Sequence, residues 1–465
     1  MSRFPGARQL LALSWPIAGI QLAQVALTTT DLVMMGWLSV GAIAAGGLAI
    51  TLYNQLRTMC VGVVTAVSNL VAGAAGRGEA RSGGVQLDRR AVEEVRQVGR
   101  AAFAVATLVG LLGGLVLVGL GYALAWFGQD AEVLALARPM MLALAPGLLP
   151  MLWLNVLRQF AVGLRRPGSL LGVTIGSIGL NAALDGGFAY GWFGFPVLGL
   201  TGIGLATTLV QLVNCLAFWA ILRRDEQLAP LLSVRGWRAD AATVREVVRL
   251  GVPISLTYGS EAGITSVATL MMGGFGPAAL AAHNVVNQLA YIVYQLNIGL
   301  SQGSSILVSR AVGQGRRAEA GRIARTALGL GAAAMAVFGV IYLVLPGPVL
   351  RLFLDAPDGA AEPGVLALAG TLLLFGIAHQ FLKGTQNIAV GLLRGLGNTK
   401  GGFRATLVGY WAVGTPAMWL FGYVAGWHGP GVWLGLCVGF GATAALLLRR
   451  FRADLRAGSA VPSRA

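Results

Sequence analysis

The sequence predicts an all-α integral membrane protein with twelve transmembrane helices. These form two six-helix lobes related by a pseudo-two-fold axis along the membrane normal. Three observations lead there. Hydrophobic residues make up 56% of the chain and charged residues 11%, against roughly 25% charged in soluble domains. Apolar runs of about 20 residues, the length a membrane helix needs, recur from end to end. The first two spans also resemble the seventh and eighth at a constant offset of 237 residues.

The spans fall at about 10–37, 42–74, 98–127, 133–162, 169–192 and 199–222, then 247–274, 278–311, 321–347, 363–393, 403–426 and 429–449. The run from Leu10 to Trp37 reads as a span and not a cleavable leader, being too long and lacking a small-residue cleavage site. Connections alternate in character. "SVGA", "GQDAE", "GWFGFPVLG", "GFGP", "DAPDGAAEPG" and "GWHGPG" are nearly free of basic residues. "GRGEARSGG…DRRAVEEVRQVGR", "GLRRPG", "LRRDE…VRGWRADAATVREVVR", "GQGRRAEAGRIAR", "LRGLGNTKGGFR" and the tail "LRRFRADLR" are full of them. Basic residues mark the cytoplasmic side, which puts both termini in the cytoplasm of a multi-pass inner (plasma) membrane protein. The net charge of +16 is mostly this bias. Because it is spread over short loops, nucleic acid is not an expected partner.

The repeat sets the domains. Pro16-Ile17 matches Pro253-Ile254, and Met34, Met35 and Gly36 match Met271, Met272 and Gly273. Ser68 matches Ser305, and Gly76 and Gly78 match Gly313 and Gly315. "AVGL" at Ala161–Leu164 recurs at Ala389–Leu392. This gives an N-lobe over 1–222, a basic cytoplasmic linker over 223–246, and a C-lobe over 247–465 with a short cytoplasmic tail. Parallel repeats of this kind carry the substrate path between the halves.

Of the 18 acidic residues, three sit well inside spans: Asp31, Asp185 and Glu261. Arg57, Arg158 and Lys383 do likewise among the basic ones. At 1.5 Å per residue, Asp31 and Asp185 lie about 9 Å from the outer end of their helices and Thr207 about 12 Å. Asn181 is one turn below Asp185, on the same face. Four oxygen-bearing side chains thus share an outer-half layer of the N-lobe. Glu261 and Lys383 lie about 15–20 Å from the cytoplasmic side, near the midplane.

Some of these residues also have plainer roles. Asn181 or Thr207 alone can be a helix-packing hydrogen bond, and Glu261 with Lys383 can be a structural ion pair. A purely structural intramembrane carboxylate is rare, so Asp31 and Asp185 read as functional. His283, in "ALAAHNVV", has the plain reading of a packed or hydrogen-bonded residue near a helix start. Cys60, Cys215 and Cys437 all lie in apolar segments and suggest neither disulfides nor a metal cluster. "RGLGNTK" lacks the order of a phosphate loop, and no catalytic constellation points to an enzyme.

The chain resembles the multidrug and toxic compound extrusion (MATE) family, in its NorM-like branch. The resemblance rests on "WPIAGIQLAQVALTTTDLVMMG", "LNAALDGGFAYG", "GLTGIGLATTL", "LGVPISLTYGSEAG", "AAHNV" and "KGTQNIAVGLLRGLGNTK". It implies two lobes around a central cavity and export of amphipathic, mostly cationic compounds against inward Na⁺ or H⁺ by alternating access. Asp31, Asn181, Asp185 and Thr207 match the family's N-lobe cation-coupling set residue by residue, and would ligate Na⁺ if that is the ion. Glu261 matches the helix-seven acid, but Lys383 stands where a second acid is expected. That departure puts a C-lobe Na⁺ site in doubt. Glu261, Lys383, Gln386, Tyr258, His283 and Gln24 are the candidate substrate and cavity residues.

No cofactor is expected beyond the coupling ion, H⁺ or Na⁺. The partners are small amphipathic cations and membrane lipids, and the protein is expected to act as a monomer. The alternative is a lipid-linked oligosaccharide flippase of the same architecture, for which Arg57, Arg158 and Lys383 would provide cationic contacts.

Overall fold

In a computed structural model, residues 5–84, 87–127, 131–354 and 363–459 are described, and among them there is no strand. This is what a bilayer demands, because a helix satisfies its backbone polar groups within its own segment. The helices are α1 (Pro5–Leu38), α2 (Val40–Thr65), α3 (Val67–Ser82), α4 (Arg89–Ala123), α5 (Ala131–Leu144) and α6 (Leu148–Gly163). After them come α7 (Gly168–Tyr190), α8 (Leu200–Arg224), α9 (Ala241–Gly274), α10 (Pro277–Gly313) and α11 (Arg317–Val344). The chain continues with α12 (Pro346–Leu354), α13 (Pro363–Gly395), α14 (Thr399–Leu407), α15 (Thr415–Trp419) and α16 (His428–Ser459).

Each of the twelve spans has its helix. Span two is α2 plus α3, parted at Ala66. Span four is α5 plus α6, and span eleven is a broken run from α14 to Val424. Eight helical stretches are long and apolar enough to cross a membrane by length and composition. The other four, α7, α9, α10 and the run after Thr399, include the helices that carry Asn181, Asp185, Glu261 and His283. Parts of the connections after spans three and nine, at 128–130 and 355–362, lie outside the described residues, as does the end of the tail.

Helices run past the apolar spans where charges hold them. α3 reaches Ser82, eight residues beyond span two, and Arg77 bonds Glu94 at 2.9 Å across the turn into α4. Asp88 caps α4 by accepting from the Ala91 amide at 3.0 Å. The Arg81 guanidinium beside Asp88, 2.8 Å away, holds that carboxyl below the usual carboxylate range. Hydropathy marks only the crossing; caps and ion pairs carry the helix into water.

The chain forms two compact units, Gly19–Leu256 and Met1–Ala18 with Thr257–Ala465, whose boundaries fall inside α1 and α9. In the Gly19–Leu256 unit, α2 crosses the start of α9 so closely that a Cβ on Gly62 would lie 2.5 Å from Ser255 Cα. A Cβ on Gly163 of α6 would lie 2.7 Å from the Ser68 carbonyl oxygen of α3. Three basic connections meet at one end. Arg96 donates to the Pro230 carbonyl at 2.8 Å, Arg100 to Ser233 at 3.0 Å and Arg166 to Asp225 at 2.8 Å.

The other unit repeats these crossings. A Cβ on Gly299 of α10 would lie 3.0 Å from Ala18 Cβ, and one on Gly395 of α13 would lie 2.7 Å from the Ser305 carbonyl oxygen. Gly299 and Gly62, Ser255 and Ala18, and Ser305 and Ser68 all stand 237 apart. The offset read from sequence is therefore a repeated packing geometry. The structural counterpart of Gly163 is Gly395, one turn beyond the Gly391 that the "AVGL" match would pair with it. This unit's core gathers Ile264, Met272, Leu372, Met418, Trp433 and Phe440. At one end Asn398 donates to Asp454 at 2.5 Å. Elsewhere the Phe275 ring lies 4.7 Å from Tyr423 and 5.1 Å from His428, joining the connections before α10 and α16.

Candidate functional site

Asp31 on α1, Asn181 and Asp185 on α7 and Thr207 on α8 meet in the Gly19–Leu256 unit. The Asn181 amide donates to Asp31 Oδ1 at 2.6 Å and to Asp185 Oδ2 at 2.8 Å. The one-turn spacing on α7 makes this bridge possible. The Thr207 hydroxyl lies 3.4 Å from Asp31 Oδ2 and 3.0 Å from the Ile203 carbonyl, and its single proton can serve only one of them. Asp31 is 7% exposed and Asp185 0%, and the two carboxyl groups accept from the same Asn181 amide. Asp185 Oδ1 has no partner among the described residues. Beside them Tyr190 donates to the Met34 carbonyl, tying α7 to α1.

Two adjacent buried carboxyls bridged by one neutral amide cannot both carry an uncompensated charge. The arrangement can hold a small cation, a shared proton or a metal ion with oxygen ligands. Asp31, Asn181 and Thr207 open onto a cavity within this unit. Gln24 lines the same cavity, so that candidate belongs with the acid cluster and not with Glu261.

In the other unit Lys383 on α13 and Glu261 on α9 are paired, Nζ to Oε1 at 3.4 Å, each side chain 13% exposed. The ammonium also lies 4.4 Å from the Tyr294 ring and 5.3 Å from the Phe440 ring, within cation–π range. Tyr258 receives a 3.4 Å hydrogen bond from Arg394. Gln386 is buried, and its Oε1 has no partner. His283 is buried. Its Nδ1 accepts from Trp433 Nε1 at 3.2 Å and its Nε2 is 3.1 Å from the Thr269 hydroxyl, so neither ring nitrogen is free for a ligand.

Several side chains here escaped the sequence reading. Tyr294 and Phe440 around Lys383 look like ordinary core aromatics in sequence. His379, stacked edge-on against Trp433 and Phe440, has both ring nitrogens buried without partners. The only signal for His379 is its four-residue spacing from Lys383 along α13.

The MatE family profile matches residues 16–185 and 253–420, two stretches whose starts lie 237 apart. Curated relatives include two proteins named "Probable multidrug resistance protein NorM". The one from Pseudomonas aeruginosa is 37% identical, covering 94% of this chain and 87% of its own. The one from Rhizobium meliloti is also 37% identical, covering 98% and 95%. Among solved structures, the Vibrio cholerae MATE transporter VcmN in its bent form superposes with a TM-score of 0.82 at 17% identity, covering 98% of each chain. A multidrug resistance MATE family transporter in an outward-facing conformation gives a TM-score of 0.84 at 16% identity, over 98% of this chain and 97% of that one. The structural likeness shows the fold. With the profile on both repeats and relatives aligned over nearly its whole length, the chain belongs to the MatE family, the multidrug and toxic compound extrusion transporters.

Proposed function

We propose that this multi-pass membrane transporter exports amphipathic, mostly cationic compounds from the cytoplasm in exchange for inward H⁺ or Na⁺. The observation that carries the reading is the carboxyl pair Asp31 and Asp185, bridged by Asn181 beside a cavity. Such a pair needs a cation in one state and can release it in another. The names of the relatives, multidrug resistance proteins, support the same class of cargo. They do not favour the flippase reading.

Binding of H⁺ or Na⁺ at Asp31 removes the charge that opposes repacking of α1. Pro16 interrupts the hydrogen-bond ladder of that helix, and is where a change of bend costs least. Alternating access is then rocking of one lobe against the other. In the C-lobe, Lys383 already supplies Glu261 with a positive charge. A cationic cargo competes with that ammonium, while the N-lobe acids handle the ion. The protein acts as a monomer in the inner membrane, with both termini cytoplasmic.

The test is efflux of a fluorescent cation from proteoliposomes under an imposed pH gradient or an imposed Na⁺ gradient, each alone. Transport driven by one gradient and lost in Asp31→Asn is the expected result. Transport under neither, or turnover of the compound without a gradient, would overturn the proposal.

A further inference from the structure

Arg57 on α2 and Arg158 on α6 line the same cavity as Asp31, and no carboxylate pairs with either among the described residues. Among the described residues, Arg158 has a side-chain hydrogen bond to Asn155 Oδ1, at a long 3.5 Å. Arg57 Nε, Arg158 Nη2 and the Tyr53 hydroxyl are each shut off from solvent without a hydrogen-bond partner among the described residues. All three atoms are donors, and Tyr53 and Arg57 are one turn apart on one face of α2. The two guanidinium groups bring like charges into the same cavity. Tyr53 lines the same cavity as Arg57 and Asp31.

Two unpaired cations with unmatched donors in a membrane protein are costly, and that cost points to a ligand. Guanidinium forks match the geometry of a carboxylate or phosphate. A simple anion would meet Asp31 across the cavity, and a simple cation would meet the arginines. A molecule with both charges, held apart by an apolar body, satisfies both ends. Leu27, Ile50, Leu154 and Val173 give that body an apolar wall.

We propose that Arg57, Arg158 and Tyr53 form an oxyanion subsite that holds the carboxylate of a zwitterionic amphiphile, with its cationic group toward Asp31. Release of the bound molecule to the outside rests on the export reading; the subsite itself does not.

The test uses the purified full chain in detergent and a matched dye pair. Tetramethylrhodamine carries a free carboxylate, and its methyl ester carries only the cation. Arg57→Gln and Arg158→Gln should each weaken binding of the acid by about ten-fold, the scale of a lost charged hydrogen bond. Binding of the ester should be unchanged or tighter, which also reports that the variants are folded. Arg57→Lys, which keeps the charge but not the fork, should retain part of the preference. Equal losses for both dyes, or no loss for the acid, would overturn the subsite. So would binding of the ester but not the acid by the parent protein, with the export reading left standing. Binding of the acid but not the ester would count against cation export while supporting the subsite. Displacement of the acid by added phosphatidylglycerol would identify a lipid phosphate as the bound oxyanion and overturn the zwitterion assignment.

Discussion

Asp31 and Asp185 share one amide bridge, so replacing either carboxylate with its amide keeps the shape and removes the exchangeable charge. Asp31→Asn and Asp185→Asn are each expected to abolish export of cationic compounds while leaving membrane expression intact. Drug-resistance assays with quantified protein levels check this, and efflux near the parent level in both would defeat it. Lys383 and Glu261 form a second buried unit, and stranding one charge of such a pair costs about 3–5 kcal/mol. Lys383→Ala should therefore lower thermal stability more than Lys383→Ala combined with Glu261→Gln. Additive effects in that double-mutant cycle would mean the two residues do not act together. Both clusters were legible in the sequence because a helix fixes depth along its axis at a known rise, and charges at equal depth are few. Neighbours around the axis were not legible. Periodicity cannot tell that Tyr294 lies under an ammonium, or that Trp433 and Thr269 already occupy both nitrogens of His283.

Helix crossings in this fold depend on glycine where backbones touch. Gly62 against Ser255 and Gly299 against Ser14 and Ala18 are the same contact in the two repeats. A methyl group at Gly62 would meet backbone, which cannot rotate away. Gly62→Ala should therefore cost about 1–3 kcal/mol by overpacking. Gly172, on an exposed stretch of α7 with open space at its Cβ position, is the control. Gly172→Ala should be neutral or stabilise by up to about 1 kcal/mol through helix propensity. Thermal melts in one detergent would compare them, and equal melting temperatures would mean that the crossing tolerates a methyl group. The repeat was readable because its matches share one register. The breaks in span eleven were not. Val408–Gly414 and Leu420–Val424 are wound as π-helix, with the Thr415 hydroxyl bonded to the Tyr410 carbonyl at 3.0 Å. Hydropathy over that span reads the same for either winding. What accompanies the change is close packing on α16, where a Cβ on Gly409 would lie 2.9 Å from Thr443 Cα.

At the scale of the whole molecule, the net charge of +16 is concentrated in alternate connections. In the Gly19–Leu256 unit the basic connections are joined to one another by Arg96, Arg100 and Arg166. They therefore lie at one end, the end expected to face the cytoplasm by its positive charge. Trp192 and Phe193, in the arginine-free connection between α7 and α8, are exposed aromatics of the kind that settle at a membrane interface. The native cysteines Cys60, Cys215 and Cys437 are all buried, so an introduced surface thiol can be read against a quiet background. Val197→Cys, at a position 70% exposed in the arginine-free connection, should react with an impermeant maleimide on intact cells. Glu226→Cys, exposed in the 223–246 linker, should react only after the membrane is opened. The two sites are separated by one helix, α8, so a single crossing accounts for opposite labelling. Reaction of Glu226→Cys on intact cells would invert the orientation. The carboxyl cluster would then sit in the cytoplasmic half, and the direction of ion-driven export would have to be argued again from that side.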